Sequence, residues 1–348
     1  MKTHNKRLTM TPATLKDVAR RAGVSHSTVS RAINHPNLLN EETLEAVRAA
    51  IRELDYTPNP FARGLQTASS KTVALIVPNM QNLAFANFAA GAQKTLEAER
   101  FSLIIASSAE DREREKFICK NLNYHGIDGV IFASSTGGSP PVELLPAKAV
   151  KVLIERVAPG GEYDAFFLDI DDGVMRACKH LEAHGHRRIA IIQGDKTGYS
   201  SKQRLYAFKQ ALSALKIPFY PEYVETGDWS PRGGWMAMDR LLQLPNPPTA
   251  VFVTTDTMAM GTIGSAAANG LRIPGDISII GFDNEPGSGE FNPPLTTLDA
   301  CSYEMGIHAA EVLLKRLSEP GRPYVQIMYP LQLVLRASTG PAPKINGV

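Results

Sequence analysis

The sequence predicts an α/β protein in two parts, a small all-helical head and a larger two-lobed body of doubly wound parallel sheets. Three observations carry that expectation. Helix start and stop signals crowd residues 14–66. From Lys71 onward, continuous β-branched runs alternate with amphipathic helices, in two successive series. Charge is also split: residues 1–71 hold 11 Lys/Arg and 6 Asp/Glu, whereas the remainder hold 26 and 29.

In the head, Thr14 is placed as N-cap of "LKDVARRA" and Gly23 as its stop. A short hydroxyl satisfies first-turn N–H groups, and glycine accepts the left-handed exit. Ser25 caps "HSTVSRAINH", which ends before Pro36, and Asn40 caps "EETLEAVRAAIRELD", whose first-turn acids suit the helix dipole. Asn59 and Pro60 supply a further cap and first-turn proline for "FARGLQ", followed by the small polar linker "TASSK".

In the body, the first series contains "TVALIVPN", "FSLIIASS", "DGVIFAS" and "KVLIERV", and the second "RIAIIQGD", "YVETGDW", "TAVFVTTD" and "DISIIGFDN". Such runs between helices mean parallel strands covered on both faces. Two series mean two lobes, with a cleft at the strand carboxyl ends. The late helix "SYEMGIHAAEVLLKRLSE" and the strand-like "VQIMYPLQLVLRAST" require the chain to re-cross between lobes near Pro294–Leu298. The expected bounds are a head at 1–58, a connecting helix and linker at 59–71, a body at 72–340 and a tail at 341–348. Within the body one lobe takes about 72–168 plus 299–329, the other about 169–298 plus 330–340.

At 348 residues the chain exceeds a single core, and 43% hydrophobic with 21% charged residues excludes a largely disordered one. Cys119, Cys178 and Cys301 match neither a metal spacing nor a disulfide framework, which points to a reducing cytoplasm. The basic N-terminus lacks the apolar stretch of a secretory signal, and no run approaches the roughly 20 apolar residues of a membrane span.

The stretch "VSHSTVSRAIN" carries the chemistry of the head. On a wheel of about 100° per residue, Val29, Ala32 and Ile33 fall on one side and His26, Ser27, Ser30, Arg31 and Asn34 on the other. No acid occurs between Asp17 and Glu41. Short donors and acceptors reach base edges only when their helix lies in a groove, and the major groove of DNA admits one. With the preceding helix and its short turn, this is a helix-turn-helix arrangement. A basic head on a mildly acidic body points to a polyanion partner for the head alone. A small solvated helical bundle shares the same pattern.

The run "TLKDVARRAGVSHSTVSRAIN", followed by "LNEETLEAVRAAIRELDYTPN", resembles the DNA-binding head of the lactose-repressor/galactose-repressor (LacI/GalR) family of bacterial transcription regulators. The resemblance implies that His26, Ser27 and Thr28 reach bases, that Ser30, Arg31 and Asn34 contact bases or phosphates, and that Thr14 and Ser25 contact phosphate. The segment "NPFARGLQ" resembles the family's hinge helix, with Ala62 and Leu65 in matching positions. Leu65 is then an apolar wedge that two subunits push into the minor groove; an ordinary buried linker leucine is the alternative. The tail "ASTGPAPKINGV" has no leucine heptads, so a homodimer is expected.

The body resembles the same family's effector domain, itself similar to periplasmic binding proteins, through "HLEAHGHRRIAII", "SKQRLYAFKQAL", "VFVTTDTMAMG", "DISIIGFDN" and "PPLTTL". Candidate ligand groups stand where strands end or helices begin: Glu155, Arg204, Asp256 and Asp283. Acids there accept from vicinal hydroxyls, and an arginine donates. Phe85 and Trp229 are aromatic planes for the apolar face of a sugar ring. Asp256 could instead cap the helix that follows it, and Glu155 or Trp229 could be wall or surface. "NLAF" lacks the first aromatic of the family's usual Asn-Pro-aromatic-aromatic run, and Thr255 stands where an asparagine is frequent. His180, His184 and His186 match a structural pattern of the family, not a metal site.

No G-x-G-x-x-G after a strand, P-loop or G-x-S-x-G elbow occurs, so an enzyme is not expected. A glycosidase pair of cleft acids runs against the binding role usual for such lobes, and a transport receptor leaves the head unexplained. The expectation is a ligand-responsive, sequence-specific DNA-binding transcription regulator without metal, cofactor or membrane partner. As a cytoplasmic, nucleoid-associated bacterial repressor of a carbohydrate operon, it would bind a pseudo-palindromic operator in double-stranded DNA. A sugar or sugar derivative in the cleft would shift its affinity for that operator.

Overall fold

The computed structural model describes residues 13–56, 69–133, 139–155 and 162–344. The predicted hinge helix with Ala62 and Leu65, the extreme tail and the side chain of Asn34 lie outside the described residues.

Among the described residues the head holds three α-helices, α1 (Leu15–Ala22), α2 (His26–Asn34) and α3 (Glu41–Glu53). Each starts on the cap read from the sequence: Thr14 forms a capping box with Asp17, Ser25 accepts from the Thr28 amide, and Asn40 from that of Thr43. Gly23 leaves α1 at φ +66, the left-handed exit that a side chain resists. Val18, Val29 and Val47 are fully buried, with Ala19 and Ala50 beside them, so the apolar side of α2 is closed against α1 and α3. Arg21 of α1 reaches Glu53 of α3 at 2.5 Å.

Among the described residues the body holds two six-stranded sheets. The first contains β1 (Thr72–Val77), β2 (Ser102–Ser107), β3 (Gly129–Phe132), β4 (Val150–Ile154), β5 (Asp164–Asp169) and, from far along the chain, β11 (Gln326–Pro330). Its order is β11-β5-β4-β3-β1-β2, parallel throughout. The second contains β6 (Ile189–Gln193), β7 (Val224–Thr226), β8 (Ala250–Val253), β9 (Ser278–Asp283), β10 (Thr296–Asp299) and β12 (Gln332–Val334). Its order is β12-β10-β9-β8-β6-β7, parallel except where β12 runs against β10. Both orders reverse beside their first strand, and that reversal opens a crevice at the carboxyl ends of the strands.

Helices α4 (Leu83–Ala98), α5 (Arg112–Asn121) and α10 (Ser302–Ser318) cover the first sheet. The second is covered by α6 (Ile170–Ala183), α7 (Tyr199–Ala214), α8 (Pro231–Leu242) and α9 (Asp256–Ala268). Phe132, Phe166, Phe208, Phe252 and Phe282 are wholly buried between these layers, each contributing about 1.5–3 kcal/mol relative to exposure. The α4 and α10 backbones meet at glycines: a Cβ on Gly91 would strike the Tyr303 carbonyl, and one on Gly306 that of Phe88.

The chain crosses between lobes three times, at Asp169–Ile170, after Asp299 and after Pro330. The second crossing falls just beyond the Pro294–Leu298 stretch, because Thr296–Asp299 pairs in register with Ile280–Asp283 and stays in the second sheet. Beneath the first sheet, Arg316 grips Asp164 through two hydrogen bonds of 2.9 and 3.0 Å and donates to the carbonyls of Pro320, Arg322 and Pro323. That fork fixes the turn from α10 into β11. The histidines of "HLEAHGHRRIA" serve the chain end: His186 Nε2 lies 3.0 Å from the Gly340 carbonyl, and His180 Nε2 lies 2.9 Å from Thr339 Oγ1. Among the described residues no group of acidic, histidine or cysteine side chains could hold a metal ion, and no helix is long and apolar enough to cross a membrane.

Candidate ligand cleft and nucleic-acid-facing helix

On the head, Thr14, Ser25, His26, Ser27 and Arg31 are exposed, and Thr28 and Ser30 half-buried. They form one polar surface because Val29 anchors the opposite side of α2. Ser25 Oγ lies 2.8 Å from both Ser27 Oγ and Thr28 Oγ1, so the hydroxyls at the start of α2 make one mesh. Thr14 gives both its hydroxyl (2.6 Å) and its amide (2.9 Å) to Asp17, whose carboxyl these bonds hold below its ordinary range. Of the candidate set, Arg31 and His26 are the long exposed donors.

In the body, the carboxyl ends of the strands frame a solvent-open cleft of about 540 Å³, open solvent at its mouth included. Phe85, Glu155, Arg204 and Trp229 line it together, joined by Asn79, Asn82, Glu110, Tyr199 and Ser200. Each wall follows a strand end: Asn79 and Asn82 after β1, Glu155 after β4, and Tyr199, Ser200 and Arg204 on the first turns of α7 after β6.

Asp283 ends β9 directly behind this wall. Its Oδ1 is 4.0 Å from Arg204 Nη2, and its Oδ2 accepts from Asn82 Nδ2 at 3.4 Å. The Arg204 guanidinium lies 3.7 Å above the Phe282 ring and donates through Nη1 to the Thr254 carbonyl. Its Nε is buried and finds no acceptor among the described residues, and neither does Trp229 Nε1. Buried polar groups of native proteins are nearly always paired, so two orphaned donors at one cleft mark where an acceptor-bearing ligand fits. The Trp229 ring packs against Gly194, where any Cβ would strike it.

Glu155, Trp229 and Asp283 share a backbone feature, with φ of +53, +65 and +108. Non-glycine residues held there carry local strain of about 1–3 kcal/mol, and such residues cluster at ligand clamps.

Asp256 is placed differently from the other acids. Thr255, not Asp256, caps α9. The Asp256 carboxylate is fully buried, accepting from Thr297 Oγ1 at 2.6 Å and the Glu285 amide at 2.9 Å. Burial pushes it up to about 6 against those hydrogen bonds. Glu285, clasped by the Thr257 hydroxyl at 2.8 and 2.9 Å, is pushed up to about 7 by the same cause. Asp283 is raised well above its ordinary value by burial, with Arg204 opposing. Glu285 and Asn82 are not singled out by the sequence; an asparagine just ahead of a helix reads as a cap, and Glu285 lies two residues beyond an acid already chosen.

A helix-turn-helix head joined to a two-lobed body with a polar, aromatic-walled cleft defines a ligand-responsive DNA-binding regulator. Comparison with known proteins gives the family. Residues 14–59 match the bacterial regulatory proteins of the lacI family, and residues 178–339 match a periplasmic binding protein-like domain. The chain is 32% identical over 330 residues to the HTH-type transcriptional repressor PurR of Haemophilus influenzae (strain PittEE), covering 94% of this chain and 98% of that protein. The Lac repressor dimer bound to operator and the anti-inducer ONPF superposes with a TM-score of 0.83 at 27% identity, over 95% of this chain and 100% of that one. A complex of the transcriptional regulator CelR with cellobiose gives 0.69 at 27%, over 94% and 99%. The chain belongs to the lacI family: it is a ligand-responsive, DNA-binding transcriptional repressor and not an enzyme.

Proposed function

We propose that the protein represses a carbohydrate uptake or catabolism operon, and that a neutral sugar or sugar derivative binds in the cleft between Phe85 and Trp229. The observation that carries this reading is that two orphaned buried donors, Arg204 Nε and Trp229 Nε1, stand at one cleft with the Glu155 carboxylate, and that Asp283 backs Arg204 from behind the wall. A polyol offers both lone pairs for the donors and hydroxyl hydrogens for the acids, and its C–H face suits an aromatic wall. The cellobiose complex of CelR supports the same class.

On the head, α2 lies in a major groove, with His26, Ser27 and Thr28 at base edges and Thr14, Ser25, Ser30, Arg31 and Asn34 on bases or backbone. By analogy with the Lac repressor dimer on its operator, two copies address a pseudo-palindromic site through paired hinge helices carrying Ala62 and Leu65. Ligand binding shifts the population between lobe arrangements and so the affinity for that site.

A thermal-shift panel of mono- and disaccharides, sugar acids, nucleosides and nucleobases tests the assignment, since a ligand selective for the folded state raises its midpoint. A shift from a neutral sugar is expected. Shifts confined to nucleobases, to nucleosides that act only through their base, or to sugar acids would overturn it.

A further inference from the structure

Asn82 makes two hydrogen bonds that face opposite ways. Its Oδ1 accepts from the Ala84 amide at 2.8 Å, capping α4, which fixes which end of the side-chain amide points outward. The Nδ2 that remains reaches across the floor of the cleft to Asp283 Oδ2 at 3.4 Å. Asn82 belongs to the lobe of the first sheet and Asp283 to the lobe of the second, and both are buried. Asp283 in turn faces Arg204 on the cleft wall. One small side chain therefore joins the ligand wall of one lobe to the first turn of a main helix of the other.

We propose that Asn82 is a positioning residue, holding Asp283 from the opposite lobe and passing the placement of that carboxylate into the start of α4. A ligand hydroxyl that displaces Asp283 changes the length of the Asn82 bond and, through it, the hold on the cap. The signalling use of the latch rests on the reading that ligand engages Asp283; the latch itself exists without ligand.

Amide hydrogen exchange of the full-length, ligand-free protein tests it. Asp283→Ala should accelerate exchange at the start of α4, around Ala84–Phe88, several-fold, although the substitution lies in the other lobe. Asp283→Asn keeps an acceptor oxygen and should leave that protection near the wild-type level. A residue that only caps its own helix predicts no change in either variant. Unchanged exchange in Asp283→Ala, or equal acceleration in both, overturns the proposal. Should Asp283→Ala not fold, Asn82→Thr runs the test in reverse. It keeps a capping oxygen but has no amide to donate, so Asn284 and Glu285 should exchange faster; unchanged exchange there counts against the latch. Because no sugar is added, failure here is distinct from failure of the sugar assignment, which the thermal-shift panel reads.

Discussion

Trp229 shows how much one atom can decide at the cleft. Its ring is pinned by Gly194, and its φ of +65 is held by a turn in which Asp228 accepts from Ser230. The indole N–H is thus aimed without freedom to find another acceptor. Trp229→Phe keeps an aromatic plane but loses that donor together with the part of the indole packed on Gly194, so calorimetric titration with the sugar found in the panel should show affinity weaker by at least about three- to tenfold, the worth of one hydrogen bond. Unchanged affinity would take Nε1 out of the site. At this scale the sequence is informative where a side chain follows a strand end: Phe85, Glu155, Arg204 and Trp229 all come to one cleft. It is silent on direction. Asp256 also follows a strand, yet faces inward because Thr297, far along the chain, supplies a hydroxyl there. Spacing within "VFVTTD" carries no trace of that partner.

Among the elements, β11 is the clearest case of a strand held by something other than its own pattern. Its residues alternate between exposed and half-buried, and its place at the sheet edge depends on the turn that Arg316 organises. Both members of the Arg316–Asp164 pair are buried. Removing one partner of a buried pair leaves an uncompensated charge, at a cost of about 3–5 kcal/mol. Arg316→Ala should lower the urea-unfolding stability of the body by that amount; a loss under about 1 kcal/mol, typical of an exposed pair, would show that the fork is not what holds the strand. The caps, glycine stop and alternating series of the body are legible because each is local. The second crossing falls one residue later than the expected break at about 298/299, since the register of β10 on β9 keeps Asp299 in the second sheet.

For the molecule as a whole, the buried acids tie stability to pH. Glu285 is raised to about 7 and Asp256 to about 6 in the folded protein, above their ordinary values of 4.5 and 3.8. A raised folded pKa gives stability that is fully present below the unfolded value and is lost as pH rises through the folded one. These acids therefore favour the folded body at pH 5 over pH 8. His180 and His186, lowered by burial, work in the opposite sense as pH falls below about 6.5. Glu285→Gln isolates the acid contribution: its melting temperature should gain on that of the wild type as pH rises from 6 to 8. A constant difference across that range would mean Glu285 stays ionised when folded. On the DNA side, Leu65→Ala should weaken binding to a specific operator far more than to random duplex, because a wedge acts only where the duplex is pried open. Equal losses in gel-shift titrations on the two DNAs would refute the wedge.

The threefold crossing between lobes has a consequence for synthesis. Neither sheet is a contiguous stretch of polypeptide: the first lacks its edge strand until Gln326–Pro330 is made, and the second until Gln332–Val334 follows. Domains generally fold as units while the ribosome is still elongating the chain. Here both lobes wait on Gln326–Val334, with β5 and β10 left as open edges in the meantime. A nascent chain stalled near Ser318 thus presents two unfinished sheets at once, and the interval before β11 and β12 emerge is when pairing with another chain competes most strongly with closure.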